Sequence, residues 1–448
     1  MEKHEIIIAL EDGSTKIGVV GLGYVGLPLA LSFSRKYKVV GFDTNVNKIE
    51  KLNHGQDYTG EIEDPSVLKN DNIFFTSEYS ELIQCSVIII AVPTPVNIGN
   101  KPDLEYLLLA CKIVGKVLQT TNEKRYICFE STVYPGCTEE DCLPVIEKIS
   151  SKQYGKDFHL GYSPERINPG DKKHKFENIV KVVSGCSQNS KELFAQLYGS
   201  VVEAGIHIAP SIKVAEAAKI IENTQRDINI ALINELSVIF SKLKIDTSDV
   251  LAAASTKWNF LNFVPGLVGG HCIGVDPYYL TYKSETLGYI PKVILSGRAI
   301  NDSMGGFVAS EAVKLTLKNK PINGEFYKSL ILGFTFKENV SDVRNTKIID
   351  IINTLKDFNF HVDVIDPIAD KEEAISEYGI ELSSLKTDFI DYDVIFLAVP
   401  HDEFSSTIEN IISLKDRLAH NIVLIDIKSK LKREQINMLS SYITYWRL

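Results

Sequence analysis

Over the first 210 residues, short apolar runs alternate with amphipathic stretches. The runs Lys16–Gly21, Lys38–Asp43, Ile73–Thr76, Val87–Pro93, Tyr126–Glu130, His159–Tyr162 and Val180–Gly185 predict buried strands. Between several of them, Leu104–Leu118 and Thr138–Ser150 carry apolar residues at helical spacing. This βαβ rhythm predicts a doubly wound parallel sheet. Near Ser211 the pattern changes. Ser211–Leu243 holds no Gly or Pro, and Val214, Ala217, Ala218, Ile221, Ile228, Ala231, Leu232 and Leu236 follow a helical period. One helix of about 30 residues, or two in series, is predicted, long enough to form a subunit interface. No convincing strand follows before Asn301. Alternation resumes near Lys328, with strands at Ser329–Phe334, His361–Ile365, Val394–Val399 and Ile422–Ile427 and a helix at Lys347–Phe358. Gly305–Asn323 bridges the two regions, partly as helix.

The expected fold is therefore α/β, with two Rossmann-like, doubly wound parallel-sheet domains joined by a helical domain with a long central helix. The expected boundaries are 1–210, 211–304 and 305–448. A length of 448 residues accommodates three such cores. With 44% hydrophobic and 24% charged residues, disorder is not expected. The net charge of −10 and the lack of a Lys/Arg run disfavour nucleic acid, and leave room for a local basic pocket that takes a phosphate. No apolar run approaches the roughly 20 residues that span a bilayer, and the start lacks a signal-peptide pattern. A cytoplasmic protein is expected. Seven cysteines with no Cys-x-x-Cys pair indicate neither a disulfide framework nor a zinc site. Cys85, Cys111, Cys128 and Cys186 lie in or beside apolar segments and read as packed small residues.

Candidate chemistry begins at Gly21-Leu22-Gly23-Tyr24-Val25-Gly26, which follows a predicted strand and opens a helix. There the first Gly permits a tight turn, the second lets backbone reach a pyrophosphate, and the third lets helix and strand pack. Asp43, 22 residues after Gly21, ends the second strand and suits ribose hydroxyls, so NAD is favoured over NADP. The strand-end segments Val92-Pro93-Thr94-Pro95 and Glu130-Ser131-Thr132-Val133 border the same crevice and offer the hydroxyls of Thr94, Ser131 and Thr132.

A second constellation lies at Gly266-Leu267-Val268-Gly269-Gly270-His271-Cys272-Ile273-Gly274-Val275-Asp276-Pro277. A thiol among glycines can add to an aldehyde, donate a hydride as a thiohemiacetal and hold the product as a thioester. Asp276 can act as a base or position water. The alternative is a buried loop cysteine beside a turn-forming aspartate. Lys219 and Asn223 share a helix face four residues apart, where the cation can stabilise an alkoxide. The alternative is a solvated pair. In Tyr162-Ser163-Pro164-Glu165-Arg166, Glu165 can serve as a base and Arg166 can meet substrate, or both can be surface charges.

Taken together, Gly21–Ala30, Val92–Pro95, Glu130–Gly136, Tyr162–Ile167, the Lys219/Asn223 helix, Gly266–Leu280 and Phe334–Arg344 resemble the UDP-glucose/GDP-mannose dehydrogenases. These are NAD-dependent enzymes that oxidise the C6 alcohol of a nucleotide sugar to a carboxylate. The resemblance implies an NAD-binding first domain, a helical dimerisation domain and a UDP-binding last domain. By motif, it implies Cys272 as nucleophile and Lys219 as oxyanion stabiliser, with Asp276 and Thr132 handling water or proton and Glu165 acting in thioester hydrolysis. It further implies that Asn223, Arg166, Lys337 and Gly269 meet substrate. Gly21, Gly23, Tyr24, Val25, Gly26, Asp43, Lys48, Thr94, Ser131, Thr132 and Arg344 would meet NAD. Trp258-Asn259-Phe260 and Pro265–Cys272 look most like the branch that oxidises UDP-N-acetylhexosamines, UDP-GlcNAc or UDP-GalNAc, for surface polysaccharide. UDP-glucose enzymes usually carry a Phe-Gly-Tyr-Gly-Gly or Gly-Phe-Gly-Gly segment before the cysteine. They also often carry an arginine about 16 residues upstream of it, where this chain has Thr256 and Lys257. UDP-glucose and UDP-ManNAc remain alternative substrates. No metal is expected.

Overall fold

The computed structural model describes residues 3–60, 62, 64–97, 99–166, 176–270, 272–320, 326–384, 389–414, 421–439 and 441–448. Ile167, His271 and the end of Gly305–Asn323 lie outside the described residues. The chain forms two compact units, Met1–Glu222 with Tyr278–Tyr289, and Asn223–Pro277 with Ile290–Leu448.

In the first unit, β1 (Lys16–Val20), β2 (Val39–Phe42), β3 (Ile73–Thr76), β4 (Cys85–Ile90), β5 (Arg125–Phe129), β6 (Phe158–Tyr162), β7 (Lys181–Gly185) and β8 (Ile206–Ile208) form one sheet. Its order is β3-β2-β1-β4-β5-β6-β7-β8. Strands β1, β4 and β5 are covered on both faces, which is why they read as unbroken apolar runs such as Val87–Ile90. β1 pairs with β2 on one side and β4 on the other, Val20 facing Phe42 and Ile90. The strand order reverses between β1 and β4, and at such a switch point the carboxyl ends of parallel strands leave a ligand crevice.

The wholly parallel sheet expected from the pattern is corrected at one pair. β7 runs antiparallel to β6, with Tyr162 opposite Ser184. A parallel pairing needs a crossover of a dozen or more residues, usually helical. The described part of this link holds only a single 3-10 turn, Phe176–Asn178. The helix Gln188–Gly199 then crosses over, and β8 pairs parallel with β7. β8 escaped the pattern because it is short and mostly exposed. The helix Glu5–Glu11 also escaped it. His4 caps it through Nδ1, and Ile7 and Leu10 bury against the sheet domain's core. Thr138–Ser150, expected as one helix, begins as a π-helical turn, Thr138–Cys142, before Leu143–Ser150 continues as α-helix. Pro144 in that first α turn has no N–H to give, so the regular ladder breaks there.

In the second unit, β9 (Tyr327–Leu332), β10 (Phe360–Ile365), β11 (Val394–Leu397), β12 (Ile422–Asp426) and β13 (Ile443–Arg447) are all parallel, in the order β10-β9-β11-β12-β13. The edge strand β13 is half-exposed and mixes polar with aromatic residues, so its apolar signal is weak. The helix Ile348–Asp357 buries Ile348, Ile351, Ile352 and Leu355 on one stripe. Lys292–Asn319 is a single helix that runs unbroken through residues 304 and 305 and buries Met304, Val308, Ala309, Ala312 and Val313. Ile212–Leu243 is one helix, not two in series. Its apolar residues divide: Ala231 and Ile233 are buried, whereas Leu232 and Ile239 stay about half exposed. No helix among the described residues is long and apolar enough to cross a membrane.

Candidate active site

The glycine-rich turn after β1 is shaped by contacts that exclude side chains. Gly21 has φ +92°, and a Cβ there would lie 2.8 Å from the Ala91 carbonyl oxygen. A Cβ on Gly26 would stand 1.8 Å from the Gly21 carbonyl oxygen, so the helix Gly26–Ser34 can start this close to β1 only with glycine. A Cβ on Gly23 would meet nothing within 4 Å. It would instead project into the open cradle at the helix N-terminus, where N–H groups and the helix dipole suit a pyrophosphate. Val25 precedes the helix without a side-chain cap, and Tyr24 is exposed.

Asp43 is braced by this turn. Its Oδ2 accepts from Leu22 N at 3.0 Å, and Oδ1 accepts from Asn45 N at 2.9 Å. Tyr58, which the pattern did not single out, donates its hydroxyl to the Leu22 carbonyl. Lys48 Nζ lies 5.3 Å from the centroid of the Tyr58 ring. Burial raises the Tyr58 hydroxyl above its ordinary pKa, and the carboxylates of Asp43 and Asp57 add to this, so it stays a donor. The residues present thus fit NAD: a tight turn, a Cβ-free cradle and a braced acid at the end of β2.

The next two strand ends are stitched together. Thr94 Oγ1 donates to the Thr132 carbonyl at 2.7 Å, and Ser131 Oγ donates to the Val92 carbonyl at 2.7 Å. Tyr279 donates to the Thr94 carbonyl. The three predicted hydroxyl residues therefore share one loop cluster, with two of them spent on holding its shape. Glu216, one turn before Lys219, accepts from Gly136 N at 2.6 Å and Thr138 N at 3.0 Å. Lys219 itself is buried.

After β6, Glu165 is buried and its Oε1 accepts from Arg166 N at 2.5 Å. The Arg166 guanidinium is engaged by Glu222 at 2.8 Å and by the Val180 carbonyl at 2.7 Å. Beside Glu165 lie residues that sequence reading missed as chemistry: Glu130, Lys181 and Tyr198.

In the second unit, the cysteine segment is held from below. Gly266 N–H donates to Asn234 Oδ1 at 2.8 Å, and Asn234 Nδ2 donates to the Gly266 carbonyl at 3.0 Å. Asn234 Nδ2 also reaches Asn301 Oδ1 at 2.8 Å. Asn301 and Arg298 in turn donate to Asp227 Oδ1 at 2.7 and 2.6 Å. A Cβ on Gly269 would lie 2.7 Å from the Asn345 carbonyl, and one on Gly270 would lie 2.7 Å from the Phe336 ring. Close packing against Phe336 and Asn345 thus explains these glycines locally. Cys272 is partly exposed, unlike Cys85, Cys111, Cys128, Cys137 and Cys142. The expectation that Cys186 is packed away is corrected: it is also partly exposed, just after β7. The Cys272 carbonyl accepts from Asp276 N at 2.8 Å, and Asp276 opens a helix, Asp276–Thr286, instead of forming a turn. Asp276 is buried, and its Oδ2 accepts from Asn223 Nδ2 at 2.6 Å.

The second sheet repeats the geometry of the first. Gly333 after β9 has φ +95°, and Asp366 after β10 accepts from Phe334 N at 2.7 Å and Thr335 N at 3.1 Å. Here a fully buried His401 also contacts Asp366, at 2.9 Å. Burial pushes the Asp366 carboxyl up, but His401 and the backbone donors outweigh it and hold the group below its ordinary range. Lys337 is partly exposed, its carbonyl accepting from Thr335 Oγ1. Arg344 forms a two-pronged pair with Asp342, at 2.9 and 2.8 Å.

Three family profiles match the chain. The UDP-glucose/GDP-mannose dehydrogenase NAD-binding domain matches residues 15–202, the central domain 213–303, and the UDP-binding domain 330–433. Protein CapL of Staphylococcus aureus is 52% identical over 433 residues, covering 96% of this chain and 99% of that one. A UDP-N-acetyl-D-glucosamine 6-dehydrogenase of Salmonella typhi is 50% identical over 421 residues, covering 94% and 97%. Among solved structures, a UDP-D-ManNAc dehydrogenase of Pyrococcus horikoshii superposes with a TM-score of 0.85 at 28% identity, covering 97% and 99%. The chain therefore belongs to the UDP-glucose/GDP-mannose dehydrogenase family, and it is an NAD-dependent nucleotide-sugar dehydrogenase.

Proposed function

We propose that this chain oxidises the C6 hydroxyl of a UDP-N-acetylhexosamine, UDP-GlcNAc before UDP-GalNAc, to the uronate. The observation that carries the choice of sugar is the 50% identity, across nearly the whole chain, with relatives named UDP-N-acetyl-D-glucosamine 6-dehydrogenase in Salmonella typhi and Pseudomonas aeruginosa. The relatives named UDP-N-acetyl-D-mannosamine dehydrogenase in Methanococcus vannielii and Methanococcus aeolicus are 33% and 32% identical. The functional division proposed is 1–210 for NAD, 211–304 for the catalytic cysteine and self-association, and 305–448 for the UDP moiety. The uronate would serve surface polysaccharide.

When bound, NAD supplies the hydride acceptor for both oxidations. The first oxidation removes the hydroxyl proton and a hydride from C6, and Lys219 stabilises the alkoxide that forms. The Cys272 sulfur then bonds to the aldehyde carbon, giving a thiohemiacetal. Loss of the second hydride leaves a thioester. Water adds to its carbonyl, the C–S bond breaks, the carboxylate departs and the thiol is restored. Asp276, oriented by Asn223, and Thr132 manage the protons, and Glu165 acts in the hydrolysis. Each sugar consumes one water and two NAD and releases three protons.

Arg166 and Lys337 are proposed to hold substrate oxygens, and Gly269 to let backbone approach them; Arg344 is proposed to reach NAD. Self-association is proposed through the long helix. In the second unit a shallow apolar groove is lined by Ile228, Ala231, Leu232, Val293 and Ile300, and a second copy would cover it. NADH formation over a panel of UDP-sugars tests the whole reading. Two NADH per UDP-GlcNAc are expected. A ratio near one would refute the thioester scheme, and faster turnover of UDP-glucose would refute the choice of sugar.

A further inference from the structure

Behind Glu165 sits a buried charge cluster that the proposed chemistry does not use. The Lys181 ammonium, at the start of β7, lies 2.7 Å from Glu130 Oε2, 3.0 Å from the Pro164 carbonyl oxygen and 3.9 Å from Glu165 Oε2. Glu130 Oε1 accepts from the Tyr198 hydroxyl at 2.5 Å. The rings of Phe176 and Tyr198 flank the ammonium, each centroid 5.3 Å away. The side chains of Lys181 and Glu130 are 4% and 0% exposed.

A buried ion pair is a poor way to stabilise a core. Its desolvation cost rivals its attraction, and apolar residues of similar volume often serve as well or better. Lys181 also has a geometric consequence at the site. Glu165 Oε1 is fixed by Arg166 N–H at 2.5 Å, while Oε2 faces the shared ammonium. Two carboxylates face one cation here. Burial lifts the Glu130 carboxyl and the Glu165 charge adds to this, while Lys181 pulls it down, leaving it at about 7.

We propose that Lys181 is a positioning residue for Glu165: locked by Glu130 and Tyr198, it holds the Glu165 carboxylate in one orientation for the hydrolysis of the enzyme-bound acyl group. This rests on the proposed role of Glu165 in that step. Lys181 touches no reacting atom. Its loss should leave both oxidations intact and slow only the release of product.

Acid quenching during turnover, followed by intact-mass measurement, reads the acyl adduct directly. Glu165→Gln should accumulate it, and if it does not, the role of Glu165 falls and the positioning proposal with it. Lys181→Met strands Glu130 without its cation, so the informative variant is Lys181→Met/Glu130→Leu, which keeps the cluster apolar. The expected result is wild-type melting, a full first burst of NADH, an accumulated adduct, kcat lowered about tenfold and KM for sugar lowered with it, so that kcat/KM is unchanged. Tyr198→Phe removes one hydroxyl only, and should slow hydrolysis about threefold with no change in the burst. If Glu165→Gln accumulates adduct while the double variant or Tyr198→Phe hydrolyses at the wild-type rate, positioning by Lys181 is refuted and the role of Glu165 stands.

Discussion

Asn234 offers a test of how the cysteine segment is held. Its amide grips both backbone groups of Gly266, at 2.8 and 3.0 Å, and reaches Asn301 at 2.8 Å. Asn234 and Asn301 are fully buried. Asn234→Leu keeps the volume but removes the partner of three buried polar atoms. Each such orphaned group costs about 1–3 kcal/mol. The Gly266 carbonyl and the Asn301 oxygen keep some capacity to find other donors, so about 3 kcal/mol is the expected loss. Urea unfolding, followed by a probe in the second unit, measures it. The same variant should change the local freedom of Cys272 six residues downstream, so alkylation of Cys272 by iodoacetamide in the folded protein should accelerate several-fold. A loss below about 1 kcal/mol with unchanged alkylation would mean that the Asn234 clamp does not hold this segment, and would refute the reasoning.

Gly23→Val puts a branched side chain into the cradle before the helix Gly26–Ser34; the chain should fold, while its Kd for NAD, measured by titration calorimetry, should rise at least about a hundredfold. Cys272→Ser should fold and bind NAD but form no uronate, as product analysis by mass spectrometry will show. Because the folded Glu130 carboxyl titrates at about 7, above its ordinary 4.5, the folded state binds more protons than the unfolded one between these values. Its contribution to stability is therefore full at the acid end and lost as pH rises through about 7; Glu130→Gln should flatten that part of the stability–pH curve, and an unaltered slope would refute the assignment. Leu232→Glu places a charge beside the apolar groove of the long helix and should shift light-scattering mass from dimer to monomer.

Local patterns carried the strands and the glycine turns well. β1, β4, β5 and β12 are doubly covered, so apolar continuity alone reveals them. The pattern failed where burial is one-sided or small, as at β8 and β13, and where direction depends on a connection, as at β7. Of the candidate site residues, Thr94 with Thr132 and Asn223 with Asp276 are brought into hydrogen-bond contact. Tyr58, Lys181, Asn234 and Arg298 gave no signal, because a lone polar residue in a sequence does not reveal whether it ends up buried.

What the sequence by itself determined are features of local origin: the helical period, the unbroken apolar runs of the doubly covered strands, the spacing of Gly21, Gly23 and Gly26, and an acid at the end of β2. These depend on backbone sterics and on which side of an element must leave water, and both act over a few residues. What only the tertiary structure decided are the partnerships of buried polar groups. Lys181 meets Glu130 across 51 residues, and Asn234 meets Gly266 across 32. A buried charge or amide must be satisfied by whatever group the fold delivers to it, and that group is chosen by packing in three dimensions.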